Sequence, residues 1–301
     1  MSLWQAIVLG IVQGLTEFLP VSSTAHLRVV PALLKWPDPG AAFTAVIQCG
    51  TLVAVLAYFR RDIARIGFAW FDETRRGQFG RSLDGRMGWM MIVATVPIVA
   101  CGLALKPLIE GSFRMLNVVA IALIGFSLLL VAAELLTRWR QRTGRTLKEL
   151  ERVSWWDALL VGVAQAAALV PGVSRSGATI TGGLFMGLSR EAAARFSFLL
   201  SLPAILAAGL YQLYKARGDL LGTQTDALNL VVCTVVSGLV GYAAIAWLLA
   251  YLRKRTLYVF VVYRVLLGCL LLWLLHTGVL KPDTGLEKAE GSGRAAEVGA
   301  K

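Results

Sequence analysis

The chain has 301 residues, of which 57% are hydrophobic and only 16% charged. That balance excludes an ordinary soluble globule and points to an integral membrane protein. Thirty Lys and Arg against eighteen Asp and Glu give a net charge of +12. The basic residues lie in short loops between apolar runs, as the positive-inside rule requires, and no aromatic–basic interleaving appears, so no nucleic-acid partner is expected.

Taken in chain order, the first apolar stretch covers about 3–19 and stops at Pro20, and a second short one returns at about 24–35. At 1.5 Å per residue the first reaches only about 22–25 Å, short of a ~30 Å hydrocarbon core. The pair predicts a re-entrant hairpin over 3–35. No basic leader or small-residue cleavage site precedes it, so a cleaved signal peptide is not expected. Full spans are predicted at about 41–59, 87–109 and 115–136, with a loop over 60–86 that carries seven arginines. A loop at 137–154 holds six basic residues. A second interrupted stretch, about 155–170 ending at Pro171 and returning at 177–188, predicts another re-entrant hairpin over 155–188. Spans at about 196–214, 228–252 and 256–277 follow. Residues 279–301, rich in Gly, Ala, Lys and Glu, are expected to form a disordered tail. The four cysteines, Cys49, Cys101, Cys233 and Cys269, stand singly in apolar runs and read as small core residues.

The three strongly basic segments, 60–86, 137–154 and Arg253-Lys254-Arg255, belong on the inside. Counting outward from them puts the first broken hairpin on the outer side and the second on the inner side. An internal repeat agrees: Ala6, Gly10 and Gln13 align with Ala158, Gly162 and Gln165, and Val21-Ser22 with Val173-Ser174. Each half, 1–136 and 155–277, is then one broken hairpin plus three spans, an odd number that inverts the second half relative to the first. The expected fold class is an all-α polytopic bundle with an inverted-topology repeat, six full spans and two re-entrant hairpins, forming one membrane domain.

Irregular backbone at membrane depth survives only where protein buries it or a wet cavity lines it, so the two breaks should meet near the midplane and carry the chemistry. In the second, Pro171-Gly-Val-Ser-Arg-Ser-Gly-Ala-Thr179, Gly172 and Gly177 allow close backbone approach and Ser174 or Ser176 caps the returning half-helix. Its N–H groups, the hydroxyls of Ser174, Ser176 and Thr179, and Arg175 make an anion site suited to phosphate. Arg175 lies too deep to snorkel and needs a partner. In the first break, Gln13 and Glu17 stand at i and i+4 and share a helix face. Glu17 is a candidate general base, a divalent-metal ligand, or the ion-pair partner of Arg175. His26, one of two histidines, is a candidate for proton transfer or phosphoryl contact. Among Ser22, Ser23 and Thr24, which also suit helix caps, Ser23 is the candidate nucleophile. Arg264, deep in the last span, must face a partner in the bundle. Gln48 and Gln165 either line the cavity or bridge helices. Arg190, Glu191 and Arg195 read as a surface ion cluster, and Glu134 as a partner of the adjacent basic loop. His276 and Trp273 fit an interfacial belt.

Gly14-Leu-Thr-Glu17-Phe-Leu-Pro20-Val-Ser-Ser-Thr-Ala-His26 and Pro171-Gly-Val-Ser-Arg-Ser-Gly-Ala-Thr179 resemble the two signature motifs of the undecaprenyl-diphosphatase (bacitracin-resistance) family. Ile47-Gln-Cys-Gly50 and Leu188-Ser-Arg-Glu191 through Leu200 add to the likeness, which runs from about residue 3 to 277. The resemblance implies a multi-pass phosphatase of the bacterial inner membrane. It would hydrolyse undecaprenyl diphosphate to undecaprenyl phosphate, recycle the carrier lipid of cell-wall synthesis, and open its site to the outer, periplasmic face. It implies a divalent cation, Mg²⁺ or Ca²⁺, and as partners the lipid substrate and membrane lipids, with bacitracin competing by sequestering the substrate; a homodimer is left open. Carried over residue by residue, it marks Glu17, Ser23, His26, Ser174, Arg175, Ser176 and Thr179. Many members carry a carboxylate where this chain has Gln13, which shifts weight in any metal scheme onto Glu17. A transporter or flippase of a prenyl phosphate lipid is the rival, since converging broken helices also build carriers.

Overall fold

The computed structural model describes residues 1–215 and 224–284. Among them the chain is helical throughout, with no strand beyond an isolated bridge between Lys148 and Leu188. Five helices are long and apolar enough to cross a membrane: α5 (Leu83–Ala104), α7 (Leu116–Arg142), α10 (Arg190–Lys215), α11 (Gln224–Leu252) and α12 (Tyr258–His276). The sixth expected span is α3 (Gly40–Tyr58), followed after one residue by α4 (Arg60–Arg75) at an angle of 84°. The protein is therefore a multi-pass helical membrane protein. Large apolar side chains such as Leu103, Leu239 and Leu266 stay exposed on the outer faces of the spans, where hydrocarbon replaces water as the contacting medium.

Two expectations change at the basic end. The segment 60–86, expected as a loop, contains α4, because its apolar residues recur at helical spacing and turn Ile66 inward while the arginines face out. Hydrogen bonds from Ser82 and Arg81 onto the Glu73 carboxylate tie the end of α4 to the start of α5 and hold that carboxyl below the usual range. Arg190, Glu191 and Arg195 do not cluster with one another. Arg190 is paired with the fully buried Glu134 at 2.5 Å, Arg195 with Asp62 at 2.9 Å, and Glu191 with Arg253 at 2.9 Å. Glu134 needs a buried cation because it also accepts from the Leu257 N–H, far from water. These pairs and Lys148–Asp157 draw the three basic segments together at one end of the bundle.

The two broken hairpins are built alike. The first is α1 (Leu3–Phe18) and α2 (Ser23–Leu33); the second is α8 (Trp155–Ala166), a 3₁₀ turn at Ala167–Leu169, and α9 (Arg175–Phe185). Ser2 with Gln5, and Ser154 with Asp157, form capping boxes that start the entering helices. Each entering helix ends in extended backbone at the residue before proline, Leu19 or Val170, as the clash with the proline ring dictates. Each returning helix starts at a serine with positive φ, 76° at Ser22 and 74° at Ser174. Left-handed backbone at a non-glycine residue costs energy and persists only where its surroundings enforce it.

Packing follows an exchange of the halves. α1 lies along α11 as α8 lies along α5, while α3 pairs with α10 and α7 with α12. The aligned glycines do the same work: Gly10 faces the Cys233 carbonyl on α11 and Gly162 the Ala94 carbonyl on α5. Gly50 meets the Thr234 carbonyl and the Ser237 hydroxyl. Of the expected tail, 285–301 lies outside the described residues. Residues 279–284 pack: Leu280 is buried in the cluster with Leu116, Leu271 and Leu274, and the Pro282 carbonyl accepts from the Leu116 N–H.

Arg264 joins the breaks. It is fully buried, and its five N–H groups go to Ser127 Oγ (3.0 Å) and to the carbonyls of Pro20 (3.1 Å), Val173 (3.0 Å), Leu123 (3.4 Å) and Gly172 (2.9 Å). Two further bonds stitch one break to the other, Gly172 N–H to Ser22 Oγ at 3.1 Å and Ser176 Oγ–H to the Leu19 carbonyl at 3.0 Å. Arg264→Met strands the buried carbonyls of Pro20, Gly172 and Val173, each worth about 1–3 kcal/mol, and is expected to lower the thermal midpoint in detergent by roughly 10 °C or more. Gly50→Val drives a branched side chain into helix backbone and should cost about 1–3 kcal/mol or more, read as a lower midpoint by the same measurement. A midpoint unchanged from wild type in either variant contradicts the packing described.

Candidate active site

The site grows from the α1 face that carries Gln13 and Glu17. One turn apart on the buried side of the helix, they meet through Gln13 Nε2–H donating to Glu17 Oε2 at 2.7 Å. The sharp turn through Pro20 to Ser22 brings Ser23, first residue of α2, back over the same carboxylate, and its hydroxyl donates to Oε2 at 2.6 Å. The other oxygen, Oε1, accepts from the Arg175 guanidinium at the start of α9. A second Arg175 nitrogen donates to the Ser201 carbonyl at 3.4 Å. Gln13, Glu17, Ser23 and Arg175, spread over 162 positions of sequence, thus form one hydrogen-bonded network. An ionised carboxylate this deep is tolerated because a cation, a hydroxyl and an amide satisfy it together.

The remaining expected residues divide between framework and site. Ser22 Oγ caps α2, accepts from Gly172, and lies 3.2 Å from Thr24 Oγ1. Ser174 Oγ caps α9 through the Gly177 N–H at 3.1 Å and lies 3.2 Å from Ser176 Oγ. Gly177 sits against the Arg264 guanidinium, and a Cβ there would come to 3.4 Å of Nη1. The Thr179 hydroxyl turns to the Arg175 carbonyl at 2.8 Å and to Ser197 Oγ at 2.6 Å. His26 stands one turn beyond Ser23 on α2, and its ring nitrogens go to the Ser22 carbonyl and to the Tyr263 hydroxyl, 2.7 Å each. Sequence reasoning missed Tyr263; the signal was its place beside Arg264, whose depth had already marked that turn of α12 as facing the bundle. Gln165, aligned with Gln13, is fully buried with both amide ends unpaired.

Among the described residues no group of three or more His, Cys, Asp or Glu side chains stands ready for a metal ion. The donor set that does exist suits a hard cation sharing its ligands with a phosphate. Glu17 supplies a carboxylate, and the Gln13 amide oxygen is buried without a partner. Hard divalent ions accept such oxygens and complete their shells from substrate phosphates and water.

The profile of the family described as "Bacitracin resistance protein BacA" matches residues 6–270. The chain is 55% identical to a protein of Chloroherpeton thalassium over 282 residues, 93% of this chain and 99% of that one. It is 56% identical to a protein of Chlorobium phaeovibrioides over 94% of this chain and all of that one, and 52% identical to one of Chlorobaculum tepidum with the same coverage. All three relatives are named undecaprenyl-diphosphatase. The matched stretch contains both breaks, the Gln13–Glu17–Ser23–Arg175 network and the Arg264 clamp, and the chain belongs to the bacitracin resistance protein BacA family.

Proposed function

We propose that the protein hydrolyses undecaprenyl diphosphate to undecaprenyl phosphate and inorganic phosphate, recycling the carrier lipid of cell-wall synthesis. The observation that carries the chemistry is Glu17, one carboxylate that holds both a serine hydroxyl and an arginine. Arg175 exchanges part of its contact with Glu17 for the terminal phosphate, and the N–H groups opening α9 complete the cradle. Ser23 Oγ attacks the terminal phosphorus in line as its proton passes to Glu17 Oε2. The bond to the bridging oxygen breaks and undecaprenyl phosphate leaves. Water then attacks the phosphoserine, the Ser23 oxygen recovers a proton, and phosphate departs. Ser23 and His26 stand at i and i+3 on α2 and share a face, which suits His26 to proton transfer in the water step.

A divalent cation, Mg²⁺ or Ca²⁺, would be held by Glu17 and the Gln13 amide oxygen and would neutralise charge on the transferring phosphoryl group. The lipid-exposed faces beside the breaks accept the prenyl tail. Bacitracin would act by withdrawing the substrate. The gathering of the basic segments at one end supports the bacterial inner membrane, with that end in the cytoplasm and the site opening outward. It equally supports the inverted relation of the halves. The proposed steps draw on residues of a single chain. No observation favours the carrier reading, since transport needs no hydroxyl poised on a carboxylate.

Phosphate release from undecaprenyl diphosphate by purified protein in detergent tests this, with Mg²⁺, with Ca²⁺ and with chelator. Wild type should release phosphate only with the metal. Glu17→Gln, Ser23→Ala and Arg175→Ala should each lose at least about 100-fold, and the Glu17→Gln/Ser23→Ala pair should be no worse than either single variant. A folded wild type that binds the lipid and releases no phosphate would refute the reading and favour transport.

A further inference from the structure

The network leaves one contact of the site without a task, the one between His26 and Tyr263. A carbonyl can only accept, so the 2.7 Å contact to the Ser22 oxygen places the imidazole hydrogen on Nδ1. In the neutral ring Nε2 is then the acceptor, and the hydroxyl 2.7 Å from it, that of Tyr263, donates. The two rings lie with centroids 5.6 Å apart and planes 8° from parallel. His26 is only 6% exposed whereas Tyr263 is 44% exposed, so the phenol is the link between a buried nitrogen and the outside of the bundle. Arg264, the next residue on α12, fixes that turn of the helix through three hydrogen bonds to the breaks and two to α7.

We propose that Tyr263 is the positioning residue of His26, and that the proton His26 gains at Nε2 crosses the Tyr263 hydroxyl. Both ring nitrogens are engaged, so the ring meets the reacting water through Tyr263. As that water attacks, its proton moves to Oη while the phenol's own proton moves to Nε2. One O–H bond of water and the original Oη–H bond break, and a new Oη–H and an Nε2–H bond form. The phenol is neutral before and after, and the imidazole gains one positive charge, which it returns by the reverse path. The proposal rests on the phosphatase reading and on a proton-transfer role for His26. The only other charged group described as bearing on the imidazole is Arg264.

The test is a double-mutant cycle in phosphate release, with Tyr263→Phe, His26→Gln and the pair, each checked for an unchanged thermal midpoint. Tyr263→Phe should lower kcat about tenfold with KM unchanged, and should have no further effect on top of His26→Gln. The chain has two histidines, so ¹⁵N-histidine labelling in a His276→Gln background leaves one imidazole to observe. Its Nδ1 should carry the hydrogen, and the Nε2 resonance should move in Tyr263→Phe. A large loss in His26→Gln beside wild-type turnover in Tyr263→Phe, or additive losses in the pair, overturns the proposal alone. Wild-type turnover in His26→Gln removes the role of His26 and the proposal with it.

Discussion

A buried guanidinium with no carboxylate on it among the described residues governs this structure. Removing Arg264 from water costs several kcal/mol, and its five hydrogen bonds to neutral oxygens offset that only if four carbonyls and one hydroxyl converge on it. Three of those carbonyls belong to the two breaks, at Pro20, Gly172 and Val173. Satisfying one cation therefore sets how the hairpins meet, and with that the spacing between Glu17 on one and Arg175 on the other. The charge itself stays unneutralised by any of those partners. A site with a net positive field in a low-dielectric setting suits a diphosphate, whose charge is worth more to it there than in water.

The shared backbone device hides a division of labour. Both breaks use proline, a positive-φ serine and a capped half-helix, so each presents a helix start to the same region. The side chains on that frame then diverge. Where the first half has Glu17, the second has Leu169; where the first has Ser23 and His26, the second has Arg175 and Ala178. One half supplies a serine hydroxyl, a carboxylate and an imidazole, and the other supplies the guanidinium that pairs with the carboxylate. Gln13 and Gln165 show the consequence, since the first is bonded to Glu17 and the second, facing no carboxylate, keeps both amide ends unpaired.

Much of this was legible from residue order. Proline stops and glycine placement disclosed the breaks, and the depth of Glu17, Arg175 and Arg264 marked them as groups needing partners. Glu17 remained open between three roles, because a helix face fixes direction and not the neighbour across it. The structure shows the ion pair and the Ser23 contact together, which is the arrangement the proposed base role rests on. The bend into α4 was not legible, since an arginine-rich segment satisfies loop and surface-helix readings equally until Ile66 finds something to pack on. Nor was Arg190–Glu134, whose members lie 56 residues apart.

Hydropathy, loop charge and proline position are properties of short stretches, so the sequence by itself determined that the protein crosses a membrane, which segments span it, where two of them break, and which polar groups lie too deep for water. Contacts between segments are not properties of any one stretch. Only the tertiary structure decided that Ser23 rather than Ser22 reaches Glu17, that Ser22 caps α2 and bonds Gly172, and that His26 looks to Tyr263. The reason is geometric: Ser22, as the cap of α2, turns its hydroxyl onto the helix's own N–H and Gly172, which leaves Ser23 to meet the carboxylate, and the position of that carboxylate depends on how Arg264 seats the two halves.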